Sequence, residues 1–251
     1  IKGLQKAGGF YIIGTTSDPY DVPKSIADET YLVPKARKEE YLEAITKLLE
    51  KTKPDFIYPS HDFEVQVLSN NREILDQRRI KYFWPSKEVL NILVNKAATA
   101  NMWEKNGIKT AHTLIIENVA DLEKALSLFG SVWLREMEGG GGQGSLPTND
   151  FSFAKAWIDH FNGWGKFSAS ELLTAERVSW CSIWSKGELI VAQTRKGLSW
   201  LLSEKTLSGV TGVTDVGLTI DDPLVDEAAI KAIKALDTEP NGIYVVDMSY
   251  D

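Results

Sequence analysis

Apolar residues in the first third of the chain fall in short runs separated by amphipathic stretches. Phe10-Tyr11-Ile12-Ile13-Gly14 is an apolar run closed by glycine and reads as a strand. Over 38–51, Tyr41, Leu42, Ile45, Leu48 and Leu49 fall on one face of a helix. Pro54 follows, and Asp55-Phe56-Ile57-Tyr58 reads as a second, buried strand. Pro59-Ser60-His61-Asp62 opens a helix to about Gln77, and Tyr82-Phe83-Trp84 is a third strand ended by Pro85. Strand, helix and strand at this pitch predict βαβ units and a parallel sheet covered by helices.

From Ser86 the texture changes. One long helix is predicted over 86–106, stopped by Gly107. Thr113-Leu114-Ile115 reads as a strand, and Asn118 with Asp121 as the N-terminal cap of a helix over 119–129. Val132-Trp133-Leu134-Arg135 reads as a strand running into glycines over 139–144, followed by a helix over 151–161. The segment 171–191 predicts a β-hairpin, with strands 178–184 and 188–191 and Lys186-Gly187 at its turn. A polar stretch over 208–219 precedes a helix over 223–236, and a strand over 243–248 ends the chain. The pattern predicts an open α/β domain over 1–85 and a mixed α+β domain over 86–251.

The composition is that of a globular protein: 251 residues, 43% hydrophobic and 25% charged. Net charge is −7, from 28 basic and 35 acidic residues, which argues against a duplex-coating nucleic-acid binder. The single cysteine, Cys181, excludes an internal disulfide framework and multi-cysteine metal sites, and its apolar flanks favour a buried structural thiol. No apolar stretch approaches the roughly 18 residues that span a membrane, and no signal-peptide pattern opens the chain. The expectation is a cytoplasmic protein with neither nucleic-acid nor membrane partners. The chain opens at Ile1 in what reads as a helix tail and stops at Asp251 just past a strand, which predicts a fragment trimmed at both ends.

The most informative segment is Glu136-Met137-Glu138-Gly139-Gly140-Gly141-Gly142-Gln143-Gly144-Ser145. Backbone that cradles a polyphosphate must approach closely and turn several N–H groups inward, and glycine permits both. This run follows a strand ending in a cation, Arg135. It is neither a Walker loop nor a dinucleotide fingerprint, because no Lys-Ser/Thr pair and no strand–turn–helix context accompany it. Lys96 reads alone as a solvated helix residue. Glu171 and Glu176, flanking Leu172-Leu173-Thr174-Ala175, stand at a connection where carboxylates accept hydrogen bonds from amines or hydroxyls. Arg195 and Lys196 end a strand, as phosphate partners or as solvated charges. Asp247 interrupts an apolar strand. Turned inward it needs a partner or a metal; turned outward by alternation it is ordinary. His61, His112 and His160 lack metal-ligand spacing, although His61 lies at the carboxyl end of a strand, where α/β crevices open.

Together these pieces resemble the ATP-grasp superfamily, in its carbamoyl-phosphate-synthetase-like, carboxylate–amine ligase branch. Ile26-Ala27-Asp28-Glu29-Thr30-Tyr31-Leu32-Val33-Pro34 resembles that branch's ADE-x-Y-x-VP segment, and Lys53-Pro54-Asp55-Phe56-Ile57-Tyr58-Pro59 with Glu64 its KPD strand and helix start. Pro85-Ser86-Lys87-Glu88-Val89-Leu90, Asn95-Lys96 and Gly107-Ile108 resemble its PS-x-E, DK and GI segments. The resemblance implies a pre-ATP-grasp Rossmann-like parallel sheet over 1–85. It further implies an ATP-grasp domain of two α+β subdomains over 86–251, with a lid over about 110–173. Lys96 and Arg135 match the two ATP-binding cations, Arg135 acting on the phosphates. Gly140, Gly141, Gly142 and Gly144 match the loop over the triphosphate, and Glu171, Leu172 and Leu173 the hinge that reads adenine. The ribose-binding acid falls at Glu176 or Arg177, of which only Glu176 is an acid. Asp247 matches the first magnesium ligand. Asn95 departs from the usual aspartate, and a Glu-x-Asn pair that completes the magnesium site in the family lies beyond the end of this chain.

The implied chemistry uses ATP and Mg2+ to phosphorylate a carboxylate, giving an acylphosphate that an amine captures. Small-molecule carboxylate and amine partners follow from it, and a homodimer is compatible with it. A competing reading is a catalytically inactive nucleotide-binding sensor or scaffold. A nicotinamide-dependent oxidoreductase accounts only for the first 85 residues.

Overall fold

The computed structural model describes all residues except Gly141, Gln143, Thr174, Ala175, 210–212, Tyr250 and Asp251. The chain divides into two compact units, Ile1–Tyr82 and Phe83–Asp251.

The first unit runs α1 (Lys2–Ala7), β1 (Ile13–Thr16), β2 (Glu29–Leu32), α2 (Glu40–Thr52), β3 (Phe56–Ile57), α3 (Asp62–Asn70), α4 (Glu73–Asp76) and β4 (Lys81–Tyr82). β1 pairs in parallel with β2 and β3 in parallel with β4, so the expected parallel sheet is present as two separate two-stranded pairs. The face predicted for the first long helix is real: α2 buries Tyr41, Ile45 and Leu49. Three local expectations are corrected. The first strand starts at Ile13 rather than Phe10, because both Ile12 backbone groups are taken by Asp28 ahead of the ladder. The strand read over 55–58 is not buried; Phe56 and Tyr58 are 50% and 49% exposed. The helix read from Asp62 to Gln77 breaks at Asn71, whose side-chain amide donates to the Val67 carbonyl.

The second unit runs α5 (Lys87–Leu93), α6 (Lys96–Lys105), β5 (Thr113–Ile116), α7 (Val119–Phe129), β6 (Val132–Glu136), β7 (Leu146–Thr148), α8 (Phe151–His160), β8 (Phe167–Glu171), β9 (Arg177–Ser185), β10 (Glu188–Trp200), β11 (Thr214–Ile220), α9 (Pro223–Leu236) and β12 (Gly242–Ser249). It holds two antiparallel four-stranded sheets, ordered β5-β8-β6-β7 and β11-β10-β9-β12. α7 and α8 cover one face of the first sheet around Ile116, Leu122, Leu134, Ile158 and Phe167. α9 covers one face of the second around Trp180, Trp184, Tyr244 and Val246. Each sheet therefore keeps one face free of its own helices.

The long helix predicted over 86–106 is two helices. The Asn95 side chain accepts the Ala98 N–H at 2.9 Å, which caps α6 and ends α5 before it. The α7 cap matches the expectation, with Asn118 and Asp121 closing a reciprocal capping box. The hairpin turn lies at Lys186-Gly187 as read, but β10 continues to Trp200, and β11 begins within the polar stretch read over 208–219. Pattern reading also misses β8, because Phe167-Ser168-Ala169-Ser170-Glu171 lacks bulky alternation. Its serines are buried, at 1% and 6% exposure, because they lie opposite the large side chains of β6.

Gly163 stands against Phe167: a Cβ there would sit 2.4 Å from the ring. Gly163→Ala is expected to destabilise this unit by about 1–3 kcal/mol through overpacking. The melting temperature should fall by about 2–4 °C per kcal/mol, read by circular dichroism.

Candidate functional site

Alternation along β6 sends Val132 and Leu134 into the helix-covered core and turns Trp133 and Arg135 to the free face. There they lie over small partners, with Ser170 opposite Trp133 and Ser168 opposite Arg135. Alternation in the other sheet turns Arg177, Ser179 and Cys181 of β9, and Val245 and Asp247 of β12, away from α9. Asp247 pairs with Ser179 in register, and the Ser179 hydroxyl donates to its carboxylate at 2.5 Å. Asp247 is exposed, so its strand position does not demand a partner; the requirement argued for an inward-facing carboxylate does not apply.

The two free faces meet electrostatically. Burial pushes the half-buried Arg135 guanidinium below its ordinary pKa; Asp247 opposes the shift and Arg177 adds to it. Burial acts likewise on Arg177, again opposed by Asp247. Among the described residues no hydrogen-bond acceptor lies against either guanidinium. Arg135, Arg177 and Asp247 thus form one cluster carrying two positive charges and one negative.

Lys96 reaches the same region from α6. Its backbone N–H donates to the Met137 carbonyl at 2.8 Å, and its Nζ donates to the Gly139 carbonyl. The other predicted cation therefore grips the segment that leaves Arg135. At the far end of the glycine run, Trp157 Nε1 donates to the Gly144 carbonyl at 2.9 Å. Gly144 has φ +70°, and a Cβ there would meet the Phe167 ring at 3.1 Å and Glu136 at 3.3 Å. Both conditions favour glycine at that position. Gly140 and Gly142 lie between the two anchors, and Gly141 lies outside the described residues.

Glu171 ends β8 one step from Ser170, the partner of Trp133. Its carboxylate accepts the His112 N–H at 3.0 Å, and its own N–H donates to the His112 carbonyl. Leu172 and Leu173, 48% and 45% exposed, continue from it. Glu176 is held elsewhere. It pairs with Lys196 at 3.0 Å, and Lys196 lies opposite the buried Val178, on the α9 side of the sheet. The structure does not bring Glu176 to the face that carries Asp247; Arg177 is there instead.

The remaining sequence candidates have local partners. Arg195 lies across Gly217 of β11. Cys181 is half-buried, and burial pushes its thiol up. The His61 ring accepts the Phe63 N–H at the start of α3, and His160 packs on Trp157 and Phe161. Sequence reasoning passed over Trp133 and Ser179 and set Arg177 aside because it is not an acid. Period-two alternation from Arg135 is the signal that finds Trp133, whereas Ser179 is placed by its register with Asp247 on another strand.

Among the described residues no three His, Cys, Asp or Glu side chains gather to hold a metal ion. Asp247, a lone carboxylate beside a phosphate-type cation cluster, fits a magnesium site only of the kind that takes one carboxylate and completes its shell with substrate phosphates and water.

Residues 1–83 match the family model described as the PylC-like N-terminal domain. No curated protein matches the chain. Among solved structures, the chain is similar to a biotin carboxylase–β,γ-ATP complex from Campylobacter jejuni, with 19% identity and TM-score 0.70 over 94% of this chain and 56% of that one. It is similar to an L-amino acid ligase from Bacillus licheniformis, with 12% identity and TM-score 0.70 over 97% of this chain and 58% of that one. It also resembles a carboxyaminoimidazole ribonucleotide synthase from Aspergillus clavatus complexed with ATP, with 16% identity and TM-score 0.66 over 94% and 59%. The chain thus spans somewhat over half the length of each of these structures. No helix among the described residues is long and apolar enough to cross a membrane. The chain has the fold that these structures share, and its first 83 residues are similar to the PylC-like N-terminal domain.

Proposed function

We propose that this chain belongs to an ATP-dependent carboxylate–amine ligase, with residues 1–85 as its pre-ATP-grasp domain, 86–251 as its ATP-grasp domain and about 110–173 as the lid. The observation that carries the reading is the convergence of Arg135, the Lys96-bound glycine segment and Asp247 on the free faces of two sheets. Solved structures of the same fold include an ATP complex and two ligases or synthases, which supports the same reaction class.

In this reading Arg135 neutralises the phosphates of ATP and strengthens as negative charge develops on the transferring group. Gly140, Gly141, Gly142 and Gly144 close over the triphosphate and exclude water, with Lys96 anchoring the start of the loop. The main chain at Glu171, Leu172 and Leu173 receives the adenine edge; Glu176, the acidic candidate for the ribose, would have to leave its pairing with Lys196 to reach it. Asp247 holds magnesium together with the phosphates; the ion, when bound, offsets phosphate charge. A substrate carboxylate oxygen then attacks the γ-phosphorus and ADP leaves. The nitrogen of an amine displaces phosphate from the resulting acylphosphate and loses a proton, which forms the C–N bond. The proposed setting is a cytoplasmic enzyme, with homodimerisation compatible with the biotin carboxylase domain dimer among the similar structures.

Arg135→Ala is expected to weaken ATP binding by about tenfold or more, as removal of charge-assisted phosphate contacts predicts; titration calorimetry measures it. Near-normal affinity would remove Arg135 from the site. Asp247→Asn should lower the rate of ADP release by about tenfold or more while changing ATP affinity only a few-fold, since it alters the metal shell rather than the nucleotide contacts. A panel of carboxylates and amines assayed for ADP release tests the activity itself. ATP binding without release in any pairing would favour the inactive nucleotide-binding module.

A further inference from the structure

We propose that Arg177 is an additional anion-binding guanidinium of this site, pre-positioned by Trp133 and Trp200 beside Arg135, and that the pair is built for a polyphosphate tail. The inference rests on the nucleotide reading above and gives a phosphate role to a residue that the family resemblance offers only as the alternative to Glu176 at the ribose.

Arg177 opens β9 with Ser249 as its register partner, and the next residue on its face, Ser179, holds Asp247. Its guanidinium carbon lies 5.4 Å from the centre of the Trp133 ring, on the opposing sheet, and 5.9 Å from that of Trp200, at the end of β10. Trp133 shares its strand face with Arg135 two positions on, a separation of about 7 Å along the strand. Two aromatic rings therefore fix Arg177 within reach of the region that Arg135 serves.

The way it is fixed decides what it can do. A guanidinium placed beside aromatic rings rather than in a salt bridge keeps its five N–H donors available. A salt bridge would have used them, and among the described residues none of them meets an acceptor. With two rings beside it, the side chain also has less rotamer freedom to lose when a ligand binds. Arg135 is likewise half-buried and, among the described residues, meets no acceptor. Asp247 balances one of the two charges, so the cluster lacks one further anion, and burial together with mutual repulsion makes that deficit costly. Two forks on opposing sheets each offer a bidentate contact to phosphate oxygens. A chain of phosphates can satisfy both at once, whereas a single small monoanion meets one.

Titration of ATP and of inorganic tripolyphosphate, each with magnesium, into the wild-type protein, Arg177→Gln, Arg177→Lys and Arg135→Ala tests the proposal. Arg177→Gln removes the charge and the guanidinium while leaving a shorter polar side chain on the same strand face. It is expected to weaken tripolyphosphate and ATP alike by about tenfold, and Arg177→Lys to weaken both by a smaller factor. Unchanged tripolyphosphate affinity in Arg177→Gln overturns the proposal, because the residue then contributes no anion contact. Tighter ATP binding in that variant also overturns it and makes Arg177 a plug over the Trp133 ring. Loss of ATP affinity with tripolyphosphate unaffected overturns it in favour of a contact to the nucleoside. Binding that depends on Arg135 but not on Arg177 sinks this inference alone. Absence of binding by the wild-type protein, with Arg135→Ala indistinguishable from it, sinks the nucleotide reading and this inference together.

Discussion

The site depends on an imbalance of charge between two sheet faces that their own helices leave uncovered. Arg135 from one sheet and Arg177 from the other share the field of a single carboxylate, Asp247. Half-buried cations that repel each other are tolerated only where something offsets them: an opposing carboxylate, an aromatic face, or a ligand that arrives later. Here the first is supplied once, by Asp247, and the second twice, by Trp133 and Trp200. The third is left to an anion. The surrounding architecture serves this arrangement, because each sheet buries one face on helices and presents the other.

The supporting residues follow from that requirement. Ser168 and Ser170 are small because Arg135 and Trp133 lie across them. Ser179 orients Asp247 with one hydrogen bond instead of competing with it as a second charge. Lys96 is tied to the loop through both its backbone and its ammonium group, so the start of α6 and the glycine segment are mechanically joined. Asn95 matters less for its chemistry than for its cap. By ending α5 and starting α6 it sets Lys96 in the first turn of the second helix.

Glu176 illustrates how neighbouring residues divide between the two sides of a sheet. It precedes the first residue of β9, and its partner Lys196 belongs to the α9 side. Arg177, one residue later, belongs to the face with Asp247. A shift of one residue exchanges an acid for a base at the site, and a reading confined to residue type favours the acid.

Much of the molecule was legible in the linear pattern. The amphipathic face of α2, the capping box of α7, the hairpin turn at Lys186-Gly187 and the glycine run after Arg135 all depend on interactions within a few residues. Periodicity and side-chain chemistry report such interactions directly. The ordered series of short motifs carried the resemblance to the fold. What the line of residues could not express was everything set by register between distant strands. The burial of β8, the extension of β10, the edge strand β11 and the meeting of Trp133, Arg177 and Trp200 arise because strands far apart in sequence are aligned by their hydrogen-bond ladders. The side chain opposite a given residue is then chosen by the fold rather than by its neighbours. For the same reason the cations were recognisable as candidates from sequence, while their number at one cluster was decided only in three dimensions.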